Sequence, residues 1–104
     1  MDFETIPAKD LNRFVREGSS VIIDLRSSEE YQEAHIKGAV NIPYEELEGK
    51  VSDFRGQELV LYCERGSTSM AAARELAEKN YHVKSVVGGI RAYRGPYLVY
   101  PQKR

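Results

Sequence analysis

The residue in this chain best suited to covalent chemistry is Cys63, its one cysteine. It follows the apolar run 59–62 and precedes a loop of small and polar residues: Glu64, Arg65, Gly66, Ser67, Thr68 and Ser69. A strand, a small-residue loop and a helix N-terminus in this order form a cradle for anions, because backbone N–H groups turn inward and the helix dipole adds partial positive charge. A sulfur at the mouth of this cradle is expected to be a thiolate nucleophile rather than an inert buried thiol.

The spacing around Cys63 argues against three other kinds of loop. A nucleotide-binding P-loop requires Gly-x4-Gly-Lys-Ser/Thr, and this loop lacks the first glycine and the lysine. A cysteine phosphatase or arsenate reductase requires an arginine six residues after the nucleophile, where this chain has Ser69, and Arg65 lies too early to replace it. A Cys/His hydrolase requires a nearby histidine, but His82 lies beyond the following helix, about 15 Å or more away. His35 is interpreted as a local hydrogen-bonding residue.

Helices are predicted on both sides of this loop. One is predicted within residues 7–17 and closed by Gly18, and another is predicted to begin after Ser27. The strongest prediction is a helix over residues 70–79, because these residues are good helix formers. Gly66 allows a left-handed turn before this helix, and the loop serines and Thr68 are candidate caps. The face of the helix predicted to be buried contains Met70, Ala73, Leu76 and Ala77.

Apolar runs rich in β-branched residues predict strands at 21–25, 59–62 and 84–87, whereas residues 36–43 are predicted to be irregular. The alternation of strands and helices predicts an α/β fold, an open parallel sheet with helices on both faces. In such sheets ligands bind outside the carboxyl ends of the strands. The segment Asp24-Leu25-Arg26, the loop at Cys63 and residues 88–91 are therefore expected to meet at one edge.

The composition is that of an ordinary globular domain and excludes several classes of protein. The chain has 104 residues, 41% of them hydrophobic and 30% charged, with a net charge of −1. These values indicate one domain and argue against a disordered chain or a basic nucleic-acid binder. A single cysteine excludes an internal disulfide, a Cys-x-x-Cys redox pair and a multi-thiolate zinc site. No stretch approaches the roughly 18 apolar residues of a membrane span and no secretion signal is recognisable, so the expected location is the cytoplasm.

Several segments, in this order and spacing, resemble the single-domain rhodanese (thiosulfate sulfurtransferase) family. They are residues 21–26, Glu30-Tyr31 with 35–43, 63–69 and Gly88-Gly89. The resemblance covers almost the whole chain and implies a rhodanese-like open parallel sheet, with residues 1–104 forming a single domain. Gly88-Gly89 is expected to let the backbone approach the loop closely. Asp24 and Arg26 are interpreted as a structural network with neighbours such as Glu30.

The resemblance also implies a reaction. Cys63 would attack the outer sulfur of thiosulfate or a persulfide, expelling sulfite from thiosulfate, and would become a cysteine persulfide. A thiophilic acceptor, which is cyanide in the assay and a thiol or a protein in the cell, would then take that sulfur. The loop residues 64–69 would bind the donor, with Arg65 best placed to attract a dianion. No metal or organic cofactor is required, and no nucleic-acid or membrane partner is expected.

Glu64 beside the nucleophile opposes thiolate formation and repels a dianionic donor, and Thr68 stands where family loops often carry an arginine. Thiosulfate is therefore expected to be a poor donor, with a persulfide or a partner protein as the natural one, and the site is still expected to be active. The distribution of charge along the chain calls for a second hypothesis. Residues 84–104 contain basic residues and no acid, whereas residues 27–58 hold eight acids against three basic residues, which indicates either internal charge complementarity or a basic rim that guides donors. The competing function is a non-catalytic rhodanese-fold binding or sulfur-sensing module, against which the retained cysteine argues.

Overall fold

The computed structural model describes residues 2–102, which form two sheets. In chain order the strands are β1 (Glu4–Pro7), β2 (Val21–Asp24), β3 (His35–Ile36), β4 (Val40–Asn41), β5 (Glu58–Tyr62), β6 (His82–Val87) and β7 (Leu98–Val99). The main sheet has the order β1-β6-β5-β2-β4, and every neighbouring pair in it is parallel. Strands β3 and β7 form a separate antiparallel pair. The predicted open parallel sheet is confirmed.

Four α-helices accompany the strands: α1 (Leu11–Glu17), α2 (Ser28–Glu33), α3 (Leu47–Lys50) and α4 (Ser67–Glu78). Helix α1 ends as predicted at Gly18, whose φ of +67° is a left-handed conformation that glycine adopts without strain. Helix α2 begins with a capping box, in which the Ser27 side chain accepts from the Glu30 N–H and the Glu30 side chain accepts from the Ser27 N–H. The end of α1 and the start of α2 are therefore set by residues local to each terminus.

The side chains of β5 alternate between two cores, one on each face of the main sheet. Leu59 and Leu61 belong to one core, and Val60 and Tyr62 belong to the other; all four are completely buried. Helix α4 packs on the first core, whereas α1 packs on the second. Each fully buried side chain of this size contributes roughly 1.5–3 kcal/mol. This burial makes β5 a rigid support for the residue that follows it, Cys63.

The carboxyl ends of three strands meet at one edge, as predicted. Asp24 at the end of β2 is in register with Tyr62 at the end of β5. The Leu25 N–H donates to the Tyr62 carbonyl at 2.9 Å, and the Ile90 N–H donates to the Cys63 carbonyl at 2.9 Å. Backbone hydrogen bonds therefore join the segments that follow β2, β5 and β6.

The start of α4 and one residue of its buried face differ from the prediction, whereas Ala73, Leu76 and Ala77 are buried as predicted. The helix begins at Ser67 rather than near Met70, its N-cap is Gly66, and no side chain caps it. The helix begins directly after the left-handed turn at Gly66, so Ser67, Thr68 and Ser69 lie in its first turn. The buried stripe then runs through Ser69, and Met70, one residue further around the helix, is 39% exposed.

Other elements were missed from the sequence. Strand β1 pairs with β6 along its whole length, and only Ile6 of its four residues is buried. Helix α3 was not predicted either. Residues 36–43 are not wholly irregular, because they contain the end of β3 and all of β4. Within residues 2–102 no helix is both long enough and apolar enough to cross a membrane.

Candidate active site

Cys63 lies directly after β5 and is 5% exposed. Its Sγ accepts hydrogen bonds from two backbone N–H groups, Gly66 at 3.1 Å and Ser69 at 3.3 Å. The loop therefore curls around the sulfur and points two donors at it from the first turn of α4 and the residue before it. Such donors stabilise negative charge on the sulfur atom.

Three further N–H groups of the loop are available to a ligand. Those of Arg65, Ser67 and Thr68 make no hydrogen bond to any residue in the described range 2–102. Ser67 and Thr68 are the first two residues of α4, where N–H groups have no intrahelical acceptor. That these N–H groups bind an anion next to Sγ stays a prediction.

The glycines let the loop pack against the segment after β6. Gly66 has a φ of +108°, and a Cβ there would lie 2.9 Å from the Gly88 nitrogen. Gly89 has a φ of +63°, and a Cβ there would lie 2.5 Å from the Cys63 carbonyl oxygen. Side chains at these positions would separate the backbones that hold the thiol. The predicted close approach at Gly88-Gly89 is confirmed.

Ser69 faces the protein interior. Its hydroxyl donates to the Gly66 carbonyl at 3.1 Å and lies 2.9 Å from the Ser85 hydroxyl of β6. Ser69 and Ser85 are both completely buried. Ser69 thus donates its N–H to the sulfur, and its hydroxyl holds the Gly66 carbonyl of the loop. Ser69 also stands where a cysteine phosphatase loop has its arginine, so that position carries no positive charge.

Glu64 is paired with two arginines. Its Oε2 accepts from Arg91 Nε at 2.7 Å, and its Oε1 accepts from Arg26 Nη1 at 3.4 Å. The hydrogen bond from Arg91 lowers the pKa of Glu64; burial opposes this and Arg26 adds to it, leaving a net value below the ordinary range. The carboxylate is ionised at neutral pH, and two cations compensate its charge.

A buried network lies under the loop. Arg26 Nη2 donates to Asp24 Oδ2 at 2.8 Å and Arg26 Nε donates to Oδ1 at 3.1 Å, while Asp24 is completely buried. Burial raises the pKa of Tyr62 and the charge of Asp24 raises it further, so the phenol stays protonated. The Asn41 side chain donates to the carbonyls of Asp24 and Arg26. Asp24 and Arg26 form a structural network, as predicted. The predicted partner Glu30 was wrong, because Glu30 caps α2 instead.

The other predicted residues lie outside this network. Arg65 is exposed and forms no ion pair within residues 2–102. His35 Nδ1 lies 2.9 Å from the Tyr31 carbonyl and its ring stacks on that tyrosine, so its local role is confirmed. His82 is exposed, as predicted, near Glu58 at the amino end of the sheet. Among the described residues no cluster of His, Cys, Asp and Glu could hold a metal ion.

The sequence placed residues 88–91 at this edge, but the pairing of Arg91 with Glu64 and the role of Ser85 were missed. Arg91 is 27 residues from Glu64, and its neighbours in sequence carry no signal that it would pair with that carboxylate. Ser85 lies between Lys84 and Val86 in β6, and its small hydroxyl was not singled out. A small polar residue in a strand predicted to be covered is itself a signal, because a buried polar group needs a partner.

Comparison with known proteins agrees with this geometry. The sequence matches the Rhodanese-like domain family over residues 7–95. The chain is 38% identical over 77 residues to a tRNA sulfurtransferase of Desulfurococcus amylolyticus, covering 74% of this chain and 15% of that protein. It is 34% identical over 73 residues to the thiosulfate sulfurtransferase PspE of Escherichia coli, covering 66% of this chain and 69% of PspE. The chain belongs to the rhodanese-like domain family.

A solved structure supports the same assignment. The rhodanese-related protein from Thermoplasma volcanium superposes with a TM-score of 0.80 at 26% identity, covering 94% of this chain and 99% of that one. Some curated relatives are much longer than this chain. The matched part of the chain spans 15%, 41% and 42% of the length of three of them. The family and the fold are shared, whereas the other parts of those longer relatives have no counterpart in these residues.

Proposed function

We propose that this domain is a sulfurtransferase that carries sulfane sulfur as a persulfide on Cys63. The observation that carries the proposal is the pair of N–H groups on Sγ, from Gly66 at 3.1 Å and Ser69 at 3.3 Å. Family membership and relatives named as sulfurtransferases support sulfur transfer in general. Thiosulfate is one candidate donor, because PspE carries that name.

The reaction proceeds in two displacements at sulfur. The Cys63 thiolate attacks the outer sulfur of thiosulfate; a new S–S bond forms, the old one breaks, and its electron pair leaves on sulfite. The product is a Cys63 persulfide anion. A nucleophilic acceptor, such as cyanide, a thiol or a thiol on a partner protein, then attacks the terminal sulfur and releases the Cys63 thiolate. Charge and atoms balance without a metal or an organic cofactor.

The loop supplies the electrostatics of both steps. Gly66 and Ser69 N–H groups stabilise the thiolate that attacks and leaves. The N–H groups of Arg65, Ser67 and Thr68 bind the donor and then the terminal sulfur of the persulfide, and the Arg65 side chain attracts the anionic donor. Residues 1–104 act as a single domain in this proposal, and a reducing cytoplasm keeps the thiol available.

Steady-state turnover tests the proposal. Thiocyanate formation from thiosulfate and cyanide is measured for the wild type, Cys63→Ser and Cys63→Ala. We expect both variants to lose at least about a thousandfold in rate, since no other thiol is present to replace the nucleophile. Equal urea midpoints for the three proteins control for folding. Sulfur uptake without release to any acceptor would contradict turnover and favour the sulfur-sensing module, and turnover in Cys63→Ser would contradict the assignment of the nucleophile.

A further inference from the structure

The residue next to the nucleophile carries a charge that the two-step reaction does not require. Glu64 follows Cys63 directly, and its carboxylate is held by Arg91 and Arg26. A negative charge at this position disfavours an anionic donor, and each cation favours one. The balance between Glu64 and its arginines therefore sets the field that a donor meets at the mouth of the loop.

The two arginines are not equivalent. Arg26 has an exposed fraction of 8% and is already bound to the buried carboxylate of Asp24. Arg91 has an exposed fraction of 59%, and Glu64 is its one acidic partner within residues 2–102. Its Nε binds Glu64, while its two terminal nitrogens make no hydrogen bond to any residue in that range. Arg91 therefore keeps two donors that an anion could use, and Glu64 limits how strongly it attracts one.

The backbone fixes this pair beside the sulfur. The Arg91 N–H donates to the Glu64 carbonyl at 3.2 Å, and the Ile90 N–H donates to the Cys63 carbonyl at 2.9 Å. The segment that carries Arg91 is thus bound to the residues that carry the nucleophile and the carboxylate. These hydrogen bonds fix the backbone positions from which both side chains extend.

We propose that the Glu64–Arg91 pair determines which donor charge the site prefers, with Glu64 as an internal anion that competes for Arg91 against dianionic donors. The inference rests on the proposed function, because it concerns the first displacement at Cys63. In the wild type Glu64 occupies Arg91 and lowers the attraction for a dianion such as thiosulfate. Donors with a single negative charge, which include thiosulfonates and many organic persulfides, are less affected and are the preferred class.

Two donors that differ in charge provide the test. Thiosulfate carries two negative charges, whereas methanethiosulfonate carries one and presents the same outer sulfur with sulfinate as the leaving group. The interaction of a fixed charge with a donor scales with the donor's charge, so its effect on log(kcat/KM) is twice as large for the dianion. The ratio of kcat/KM for the two donors cancels any effect on the thiolate itself, because both donors meet the same nucleophile.

For Glu64→Gln we expect kcat/KM to rise about tenfold with thiosulfate and about threefold with methanethiosulfonate. Arg91→Gln is expected to lower the two values by about the same factors. The double variant, in which both charges are removed, is expected to return to within about twofold of the wild type for both donors. The gain in Glu64→Gln is expected to shrink as sodium chloride rises toward about 1 M, where the screening length is about 3 Å.

Glu78→Gln is the matched control. It removes the same charge from the protein at the last residue of α4, about 16 Å along the helix axis from Ser67. We expect no more than a twofold change with either donor. A similar change in this control and in Glu64→Gln would show an effect of net charge alone and would overturn the proposal.

The outcomes separate this inference from the proposed function. If neither donor places sulfur on Cys63 in any variant, the proposed function fails. If sulfur is loaded but Glu64→Gln changes kcat/KM by the same factor for both donors, or lowers it for thiosulfate, the proposed selection of donor charge is wrong. The proposed sulfur transfer on Cys63 is then unaffected. A purely structural role for the pair predicts losses with both donors in each variant and no recovery in the double variant, which would also overturn the proposal.

Discussion

Two clusters of charged side chains lie at opposite ends of the main parallel sheet, and only one of them lies beside Cys63. At the amino end of the sheet, Lys84 Nζ lies 2.5 Å from Glu58 Oε2 and 3.1 Å from Glu4 Oε1. At the carboxyl end, Arg26 bridges Asp24 and Glu64. Both clusters neutralise partly or fully buried charges, so ion pairing alone does not distinguish them.

The difference between the two ends comes from the backbone. The carboxyl end carries the Gly66 turn and the N-terminus of α4, which direct N–H groups at Cys63 Sγ. At the amino end the left-handed turn at Gly56, with a φ of +91°, leads into β5 rather than into a helix, and the Ser20 hydroxyl hydrogen-bonds the Glu58 carboxylate. We therefore expect chemistry in this fold to depend on the orphan N–H groups of a helix start, with the charges around them tuning it.

The largest effect on stability should come from Asp24→Ala at the carboxyl end. The substitution leaves the Arg26 guanidinium, 8% exposed, without its main partner, and breaking such a pair typically costs about 3–5 kcal/mol. Urea denaturation should show this loss in the free energy of unfolding. A loss below about 1 kcal/mol would contradict the view that this network supports the loop.

Gly89→Ala should come next and should affect both folding and activity. Its φ of +63° and the 2.5 Å approach of a Cβ to the Cys63 carbonyl oxygen require the loop to shift. We expect a loss of about 2 kcal/mol and a fall in sulfur transfer of at least about a hundredfold. Gly49→Ala is the control, since nothing lies within 4 Å of its Cβ, and it should be neutral or slightly stabilising.

Ser85→Ala tests whether the hydroxyl behind the loop positions the cradle. Removing it takes one partner from the buried Ser69 hydroxyl, which keeps its bond to Gly66. We expect a loss of about 1 kcal/mol and a three- to tenfold fall in kcat. Ser20→Ala removes a hydroxyl at the amino end and should leave kcat unchanged. Equal effects of the two substitutions on kcat would contradict the claim that the Ser85 hydroxyl positions the loop.

Glu58→Gln should have the smallest effect, confined to stability and dependent on pH. Burial raises the pKa of Glu58, but hydrogen bonds from Lys84 and Ser20 outweigh it, and the net pKa lies below the ordinary value. A lowered pKa means that the stabilisation is present above about pH 4.5 and is lost as the pH falls through the folded-state value. The wild type should exceed the variant by about 1 kcal/mol at pH 7 and by nothing near pH 2. A difference that grows on acidification would contradict this assignment.

Much of the fold could be predicted from the sequence because the strongest local signals lie where the site is. The apolar run before Cys63, the glycine after it and the helix formers beyond residue 69 each indicate one structure. Strand β1 could not be predicted, since only Ile6 is buried and the strand is defined by pairing with residues of β6 that lie 80 positions away. Pairing across such a distance is a tertiary property.

The loop that forms the site was predicted from the sequence, but the ion pairs around it were not. The effect of Glu64 was expected to be repulsion of donors, but the structure pairs it with Arg91 and Arg26. Which cation on the rim reaches a given carboxylate depends on how the segment after β6 turns at Gly88-Gly89. The basic residues counted in the sequence included Lys103 and Arg104, which lie outside the described residues.

The most direct test of the account is the mass of the intact protein after incubation with thiosulfate or methanethiosulfonate, and again after cyanide is added. The account predicts that the wild type gains one sulfur atom, that cyanide removes it as thiocyanate, and that Cys63→Ser gains none. Sulfur retained by Cys63→Ser would contradict the account, as would a wild type that takes up no sulfur from these donors or from a low-molecular-weight persulfide.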